Sequence, residues 1–309
     1  MHATKGKILQ LLREESAVVS GEALSNALGL SRTAVWKHIQ KLQGCGYDIV
    51  ASSKGYRLQA EPDAPYPWEF PGHEETMHFY PEVSSTMDIA RKLARDGCPA
   101  LTVVVAEKQT QGRGRLQRNW HSEAGGLYFT VVLRPNLAPM VSQRVNFCAS
   151  LVMALTLQDL YGVHAVVKWP NDILVSDRKL AGMLSEMEAE TDKVAYVNVG
   201  IGLNVNNDPS HAASDAVTLK EILGHSVSRK AILAVYLEAL KTRLMTLDTV
   251  DVIAEWKAQT VTLGRQVQIQ THSETAQGTA VDVDDNGSLI LQLGDGSLKT
   301  IIYGDCFHL

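Results

Sequence analysis

Apolar positions recur at helical spacing three times in quick succession at the start of the chain. Ile8, Leu9, Leu11 and Leu12 give a first helix a broad apolar face. Ser20 stands as N-cap to a second, in which Ala23, Leu24, Ala27 and Leu28 are expected to face inward. Gly29 ends it, because the turn there needs a residue tolerant of positive φ. Ser31 caps a third helix, with Val35, Ile39 and Leu42 on its inner face. GEALSNALGLSRTAVWKHIQKL therefore reads as a helix-turn-helix. YDIVASSKGYRL alternates as two short strands around Ser52–Gly55 and adds a wing.

Next, the prolines of EPDAPYPWEFPGHEE predict an extended connector. Beyond it MHFYPEV reads as a strand. SSTMDIARKLARDG reads as a helix capped by Ser84, Ser85 or Thr86, with Ile89, Leu93 and Ala94 inward. LTVVVAEKQ and GGLYFTVVLRP read as buried strands, and VNFCASLVMALTLQDLYG as a helix apolar nearly all round and hence buried. Three strand-like stretches follow, AVVKWPNDILV, KLAGMLSEM and VAYVNVGIGLNV. Mixed strands with helices on one side predict an α/β or α+β layer architecture. The helical stretches VSRKAILAVYLEALKTRLMTL and VIAEWKAQT lead to a change of texture near Thr262. From there short strands are joined by the turn pairs Asn286–Gly287 and Asp295–Gly296, which predicts a small SH3-like β-barrel. The expected organisation is an α+β multidomain chain with domains at 1–62, 63–260 and 261–309.

The chain of 309 residues is 45% hydrophobic and 20% charged, an ordinary composition for a soluble globular protein. No apolar run approaches the ~20 residues that span a bilayer, and no charged-then-apolar signal opens the sequence. The cytoplasm is the expected compartment, with no membrane partner. Cys45, Cys98, Cys148 and Cys306 lie far apart without a CxxC, so buried free thiols are expected. Charge is unevenly divided. Residues 1–60 hold eight Lys or Arg against four Asp or Glu, and the remainder 21 against 30. A basic head on an acidic body suits a polyanionic partner for the head. Ser31, Arg32, Thr33, Trp36, Lys37 and Lys41 lie at the cap and outer face of the third helix and fit a major groove. Lys54 and Arg57 would reach phosphates from the wing. A winged domain used only for protein contacts is the plainer alternative; the charge favours DNA.

There is no P-loop, HExxH or GxSxG, and GIGLNV lacks the GxGxxG spacing. QTQGRGRLQRNW (109–120) is the most distinctive stretch. Gly112 and Gly114 permit positive φ and close backbone approach. Arg113 and Arg115 alternate with them, so N–H groups and guanidinium forks can converge on one phosphate. Arginine–glycine elements that bind nucleic acid are tandem, whereas this one occurs once between buried strands, so a small-molecule phosphate is favoured. A solvated surface loop is the bland alternative, evenly weighted on the motif alone. In KWPNDILV, Lys168, Trp169, Asn171 and Asp172 gather where Pro170 ends a strand; Asn and Asp there are either turn formers or part of a site. Lys179 of DRKLAGML, beside Ala181 and Gly182, reads by itself as a solvated lysine at a strand start.

Taken in order, the winged helix-turn-helix, SSTMDIA, QTQGRGR…W, KWPNDILV, RKLAG, GIGLNV and the β cap resemble the biotin protein ligases. The likeness is to the bifunctional type that is also the biotin operon repressor, and it spans nearly the whole chain. It implies a central class II synthetase-like α/β catalytic domain that binds biotin and ATP. Such a domain makes biotinyl-5′-adenylate with magnesium accompanying ATP, then passes biotin to a lysine of the biotin carboxyl carrier of acetyl-CoA carboxylase.

By the same resemblance, Arg113, Arg115 and Lys179 would hold the carboxylate and α-phosphate. Ser85, Thr86 and Gln109 would bond the ureido ring, with Met87 beside it. Gly112 and Gly114 let the loop fold over the ligand, and Gly182 lines the biotin slot. Trp120 would stack on adenine and Asn204 read its edge, with Gly200 and Gly202 giving clearance. Arg118 and Asn171 join the adenylate set. Lys168 and Asp172 lie near the phosphates, Asp172 as a possible magnesium contact and as acceptor of the attacking amine's proton; no fixed metal site is implied. The implied partners are operator DNA of biotin genes and, when adenylate is bound, a second copy of the chain. Two departures from the family pattern stand out: Leu116, Gln117 and Asn119 in the loop, and Met87 where the family usually has Asn. The rival readings are a lipoate-type ligase and a non-catalytic biotin-sensing repressor.

Overall fold

The computed structural model describes residues 2–14, 18–139, 143–191, 193–209, 215–247, 251–271 and 273–309; the side chain of Gln117, one of the loop departures, lies outside it. The chain forms two compact units, Met1–Phe79 and Tyr80–Leu309.

In the first unit α1 (His2–Glu14), α2 (Gly21–Leu28) and α3 (Arg32–Gln43) precede the antiparallel hairpin of β1 (Asp48–Ser52) and β2 (Gly55–Ala60). The Ser20 and Ser31 hydroxyls accept from Ala23 N at 3.0 Å and Ala34 N at 3.2 Å. Each such cap is worth about 1 kcal/mol. Gly29 turns the chain at φ 63°. Ile8, Leu9, Leu12, Leu24, Val35, Ile39 and Leu42 form the core. Ala23 and Ala27 are exposed, contrary to expectation. On this short helix Leu24 is buried and Leu28 half-buried, and that narrower stripe suffices. The connector also differs from the extended tether its prolines suggest. Trp68 is 5% exposed within this core, stacks on Tyr66 at 4.6 Å and donates to the Tyr47 hydroxyl at 3.0 Å. Arg13 pairs with Glu61 and Glu69. Aromatic burial thus attaches the connector to the winged domain, so the compact unit runs past residue 62.

The second unit contains β3 (Met77–Val83, which begins just before it), α4 (Thr86–Arg95), β4 (Thr102–Gln109), β5 (Leu127–Leu133), α5 (Gln143–Tyr161), β6 (Val166–Lys168), β7 (Asp172–Val175), β8 (Arg178–Glu190) and β9 (Lys193–Leu203). These strands form one sheet in the order β3-β4-β5-β9-β8-β7-β6. The KWPND stretch is a hairpin rather than one strand, with a cis Trp169–Pro170 peptide between β6 and β7. Then come α6 (Leu219–Leu223), α7 (Arg229–Leu244) and α8 (Val252–Gln259). Helices cover both faces of the sheet, not one. Neighbouring residues on a strand point to opposite faces. On β5, Thr130 donates to Thr86 of α4 at 2.8 Å, whereas Phe129 meets Tyr236 of α7 edge-on at 5.6 Å. Every side chain of β5 is accordingly buried.

The C-terminal strands are β10 (Gln266–Gln270), β11 (Thr275–Val283), β12 (Leu289–Gln292), β13 (Leu298–Ile301) and β14 (Asp305–His308). They pair antiparallel in the order β13-β12-β11-β10-β14. Gly287 and Gly296 take the positive φ that the two turns require, 84° and 82°.

Candidate active site

The β8–β9 ladder pairs Gly182 with Gly202 and Leu184 with Gly200, so the three glycines open on one face. It is the α4 face: a Cβ on Gly200 would lie 2.6 Å from the Met87 sulfur. A Cβ on Gly202 would lie 2.3 Å from Trp120 Cε2 and Nε1, and one on Gly182 2.8 Å from Cζ3. The glycines therefore make a flat floor, and the Trp120 indole rests on it. Lys179 Nζ stands 5.3 Å from the indole centroid and 2.8 Å from Asp172 Oδ1, Asp172 being opposite Gly182 in the β7–β8 ladder. With the indole seated, the remaining cavity is ≈ 230 Å³.

Over this floor folds the glycine–arginine loop, though not in the manner the glycines suggest. Neither Gly112 nor Gly114 takes positive φ; the left-handed residue is Leu116, at φ 51°. Gly112 instead permits close approach, because a Cβ there would lie 2.3 Å from Trp120 O. The N–H groups of Gly114, Arg118 and Trp120 donate to Arg118 O, Arg115 O and Gly112 O at 2.7, 3.0 and 2.8 Å. These three donors close the turn on itself and are taken up within the loop, whose charge is carried by its guanidinium side chains.

Most of those side chains carry a counter-charge. Arg113 pairs with Asp88 at 3.2 Å and Glu186 at 3.1 Å, Arg118 with Asp305 at 2.5 Å, and Lys179 with Asp172. Arg115 differs. Among the described residues it has no carboxylate partner; its Nη1 donates to Gly304 O at 3.1 Å and Asn171 Oδ1 at 3.4 Å. Burial pushes its pKa down, against the opposing pull of Asp305 and Asp172. A half-buried guanidinium held only by neutral acceptors favours an added anion.

At the other end Thr86 N and Oγ1 donate to Gln109 Oε1 at 2.8 and 3.1 Å, and Gln109 Nε2 donates to Ser122 Oγ at 2.9 Å. Ser85 starts α4 without a side-chain capping bond; its hydroxyl is buried without a partner. So are Arg113 Nε and Trp120 Nε1. Arg113 Nη2, Asp172 Oδ1 and Asp305 Oδ2 have only ion-pair contacts, without hydrogen-bond geometry. These unsatisfied groups line one cavity, the arrangement expected of a site for a polar ligand.

Ser85, Thr86, Met87, Gln109, Arg113, Gly114, Arg115, Arg118, Trp120, Lys168, Asn171, Asp172, Lys179, Gly182, Gly200 and Gly202 all line this cavity. Gly112 and Asn204 do not. Asn204 is 4% exposed and its Oδ1 accepts from Asn207 Nδ2 at 3.1 Å, which fixes the exit from β9. Asn171 faces both ways, donating to Met183 O while accepting from Arg115. Residues that sequence reasoning missed are Met183, Leu184, Ile201, Asp215, Asp305, Cys306 and Phe307. The last three come from β14, and the Arg115–Gly304 bond joins positions 189 residues apart, a separation that no local pattern reveals. Behind the site Arg229, 6% exposed, donates to both Glu107 oxygens at 3.0 Å and to Gly126 O at 2.9 Å. It thereby ties α7 to the end of β4 and the turn after the loop. Among the described residues no group of three or more His, Cys, Asp or Glu side chains could hold a metal ion, and no helix is long and apolar enough to cross a membrane. In the winged unit Ser31, Arg32, Thr33, Trp36, Lys37, Lys41, Lys54 and Arg57 are all exposed.

The model of the biotin/lipoate A/B protein ligase family matches residues 79–204, that of an HTH domain residues 5–57, and that of the biotin protein ligase C terminal domain residues 262–309. The bifunctional ligase/repressor BirA of Bacillus subtilis is 35% identical over 296 residues, covering 91% of each chain. The chain belongs to the biotin protein ligase family. It is an enzyme of that ligase class, with a helix-turn-helix domain before the catalytic fold and an all-β domain after it. The Escherichia coli bifunctional ligase/repressor BirA is 29% identical over 93% of this chain and 91% of its own. Biotin protein ligase from Aquifex aeolicus in complex with biotin and ATP superposes with a TM-score of 0.64 at 27% identity, covering 76% of this chain and 99% of that one.

Proposed function

We propose that the cavity joins the carboxylate of biotin to the α-phosphate of ATP, releasing pyrophosphate. A lysine of the biotin carboxyl carrier of acetyl-CoA carboxylase then displaces AMP from the adenylate. The observation that carries this reading is Arg115, a half-buried cation lacking a carboxylate partner among the described residues, at a cavity lined with unsatisfied polar groups. Bringing a carboxylate to a triphosphate demands charge compensation and positioning rather than a covalent nucleophile. Arg115 and Lys179 clamp the carboxylate and α-phosphate, and Lys168 and Arg118 meet the outer phosphates. Ser85, Thr86 and Gln109 hold the ureido ring, with Met87 and Gly182 shaping its slot. Ligand and indole cannot share the Gly182–Gly202 floor, so Trp120 lifts away and stacks on adenine. Asn171 places Arg115, Gly112 allows the loop to close, and Asn204 shapes the end of β9. Magnesium enters with ATP rather than at a preformed protein site; the Asp172 carboxylate is the group suited to touch it.

In the second half the carrier amine attacks the acyl carbon, AMP departs and the nitrogen loses a proton. A lysine of pKa ~10.4 is neutral in about one molecule in 2,500 at pH 7, a penalty of roughly 4.6 kcal/mol. We assign Asp172 to orient that amine and take its proton.

The winged helix adds a repressor function in the cytoplasm. The exposed cations of α3 and the wing bind operator DNA of biotin genes, and adenylate favours a homodimer on paired half-sites. We assign residues 1–62 to DNA binding, 63–260 to catalysis and 261–309 to an SH3-like barrel, with the connector packed against the first. Competition for pyrophosphate release between biotin and lipoate tests the substrate; lipoate turnover with biotin inert overturns it. With about five phosphate contacts, log affinity for DNA should fall against log salt with a slope near −4 to −5; a flat dependence removes the DNA role.

A further inference from the structure

Arg113 and Arg115 stand two residues apart in one loop but in opposite electrostatic situations. The Arg113 guanidinium lies between two carboxylates, Asp88 Oδ1 at 3.2 Å and Glu186 Oε1 at 3.1 Å. Arg91 closes the cluster through Glu186 at 2.5 Å and Asp88 at 3.7 Å. Two cations and two anions leave no net charge there. The cluster also has a mechanical consequence. Asp88 lies in the first turn of α4, the helix that begins with Ser85 and Thr86. Glu186 lies on β8, four residues beyond Gly182 and on the same face. Arg113 is bridged to Asn119 across the neck of the glycine–arginine turn. One guanidinium therefore joins the ring-binding helix, the floor strand and the loop.

We propose that Arg113 is a positioning residue rather than an anion clamp, and that Asp88 and Glu186 are the anchors through which it holds the loop over the slot. This rests on the ligase reading given above. It deepens that reading by separating the two arginines: Arg115 meets the acyl phosphate, and Arg113 sets how long the loop stays closed over it. The opposite view, in which the carboxylates merely restrain a would-be clamp, predicts the opposite sign. Removing a carboxylate would then release Arg113 towards the ligand and tighten binding.

The test is Asp88→Asn and Glu186→Gln in the full chain, with Asp88→Glu as the conservative control. Labelled biotin with ATP on wild-type enzyme first establishes that the adenylate forms and stays bound; without it the ligase reading fails, whatever Asp88 does. In the variants we expect adenylate to dissociate about three- to fivefold faster, the range for a partly exposed ion pair. The single-turnover rate of transfer from the bound adenylate should stay within about twofold, since the phosphate clamp is untouched. Asp88→Glu should restore most of the retention. Independently of catalysis, trypsin should cut the ligand-free loop at Arg115 and Arg118 faster in Asp88→Asn than in wild type, while melting temperature stays unchanged. Slower dissociation in Asp88→Asn, or dissociation and loop cleavage both unchanged, overturns the proposal.

Discussion

The indole of Trp120 lies directly on Gly202. A single methyl on that glycine would come within 2.3 Å of the ring, so floor and indole fit only because the residue has no side chain. Gly202→Ala should dislodge Trp120 and narrow the slot. A methyl forced into a packed site costs about 1–3 kcal/mol, so we expect KM for biotin and ATP to rise roughly tenfold. Tryptophan fluorescence of the ligand-free protein should shift as the indole enters water. An unchanged spectrum with unchanged KM would mean that the indole does not rest there.

Arg115 should govern retention of the intermediate. Loss of a charge-assisted bond costs about 1.5–3 kcal/mol, so Arg115→Ala should release adenylate about 10- to 150-fold faster, which a dilution chase measures directly. Lys179→Ala should weaken the same step but also free Asp172, its partner at 2.8 Å. Equal adenylate lifetimes in wild type and Arg115→Ala would exclude Arg115 as the clamp.

Much of this site was legible in the sequence, for reasons that differ residue by residue. Ser20, Ser31 and Gly29 declared the helix ends because capping and left-handed turns are local properties. The strand carrying Gly200 and Gly202 was legible from an apolar run that Asn198 interrupts. Gly112 and Gly114 misled: glycine signals permission, and the structure uses it for close approach while Leu116 takes the left-handed turn. Neither the pairing of Arg118 with Asp305 nor the burial of Trp68 could be read, since both depend on partners brought together only by the fold.

On the proposed mechanism, Asp172 should matter to the second half-reaction. Asp172→Asn should slow transfer of biotin from preformed adenylate to a carrier domain by at least about tenfold, as expected of a general base. The slowing should diminish as pH approaches the pKa of the attacking lysine. Transfer at full rate near neutral pH would assign the proton to another acceptor.

Acid should loosen the C-terminal β domain through His308. Its pKa is lowered from 6.5 to about 4, first by burial and then by Lys168 and Arg265. The folded state therefore prefers the neutral ring. That contribution to stability is complete above pH 6.5, declines as pH falls towards 4 and changes no further below it. His308→Gln should flatten the loss of melting temperature across that window. A variant curve parallel to wild type there would remove His308 from the acid response.

The central claim is that this cavity makes biotinyl-adenylate and hands biotin to a protein lysine. Incubating the full chain with biotin, ATP, magnesium and a biotin carboxyl carrier domain tests it most directly, with pyrophosphate release and the mass of the carrier followed together. We expect biotin-dependent pyrophosphate release and one biotinyl group added to the carrier, both lost in Arg115→Ala/Lys179→Ala. No biotin-dependent pyrophosphate and an unmodified carrier would contradict it.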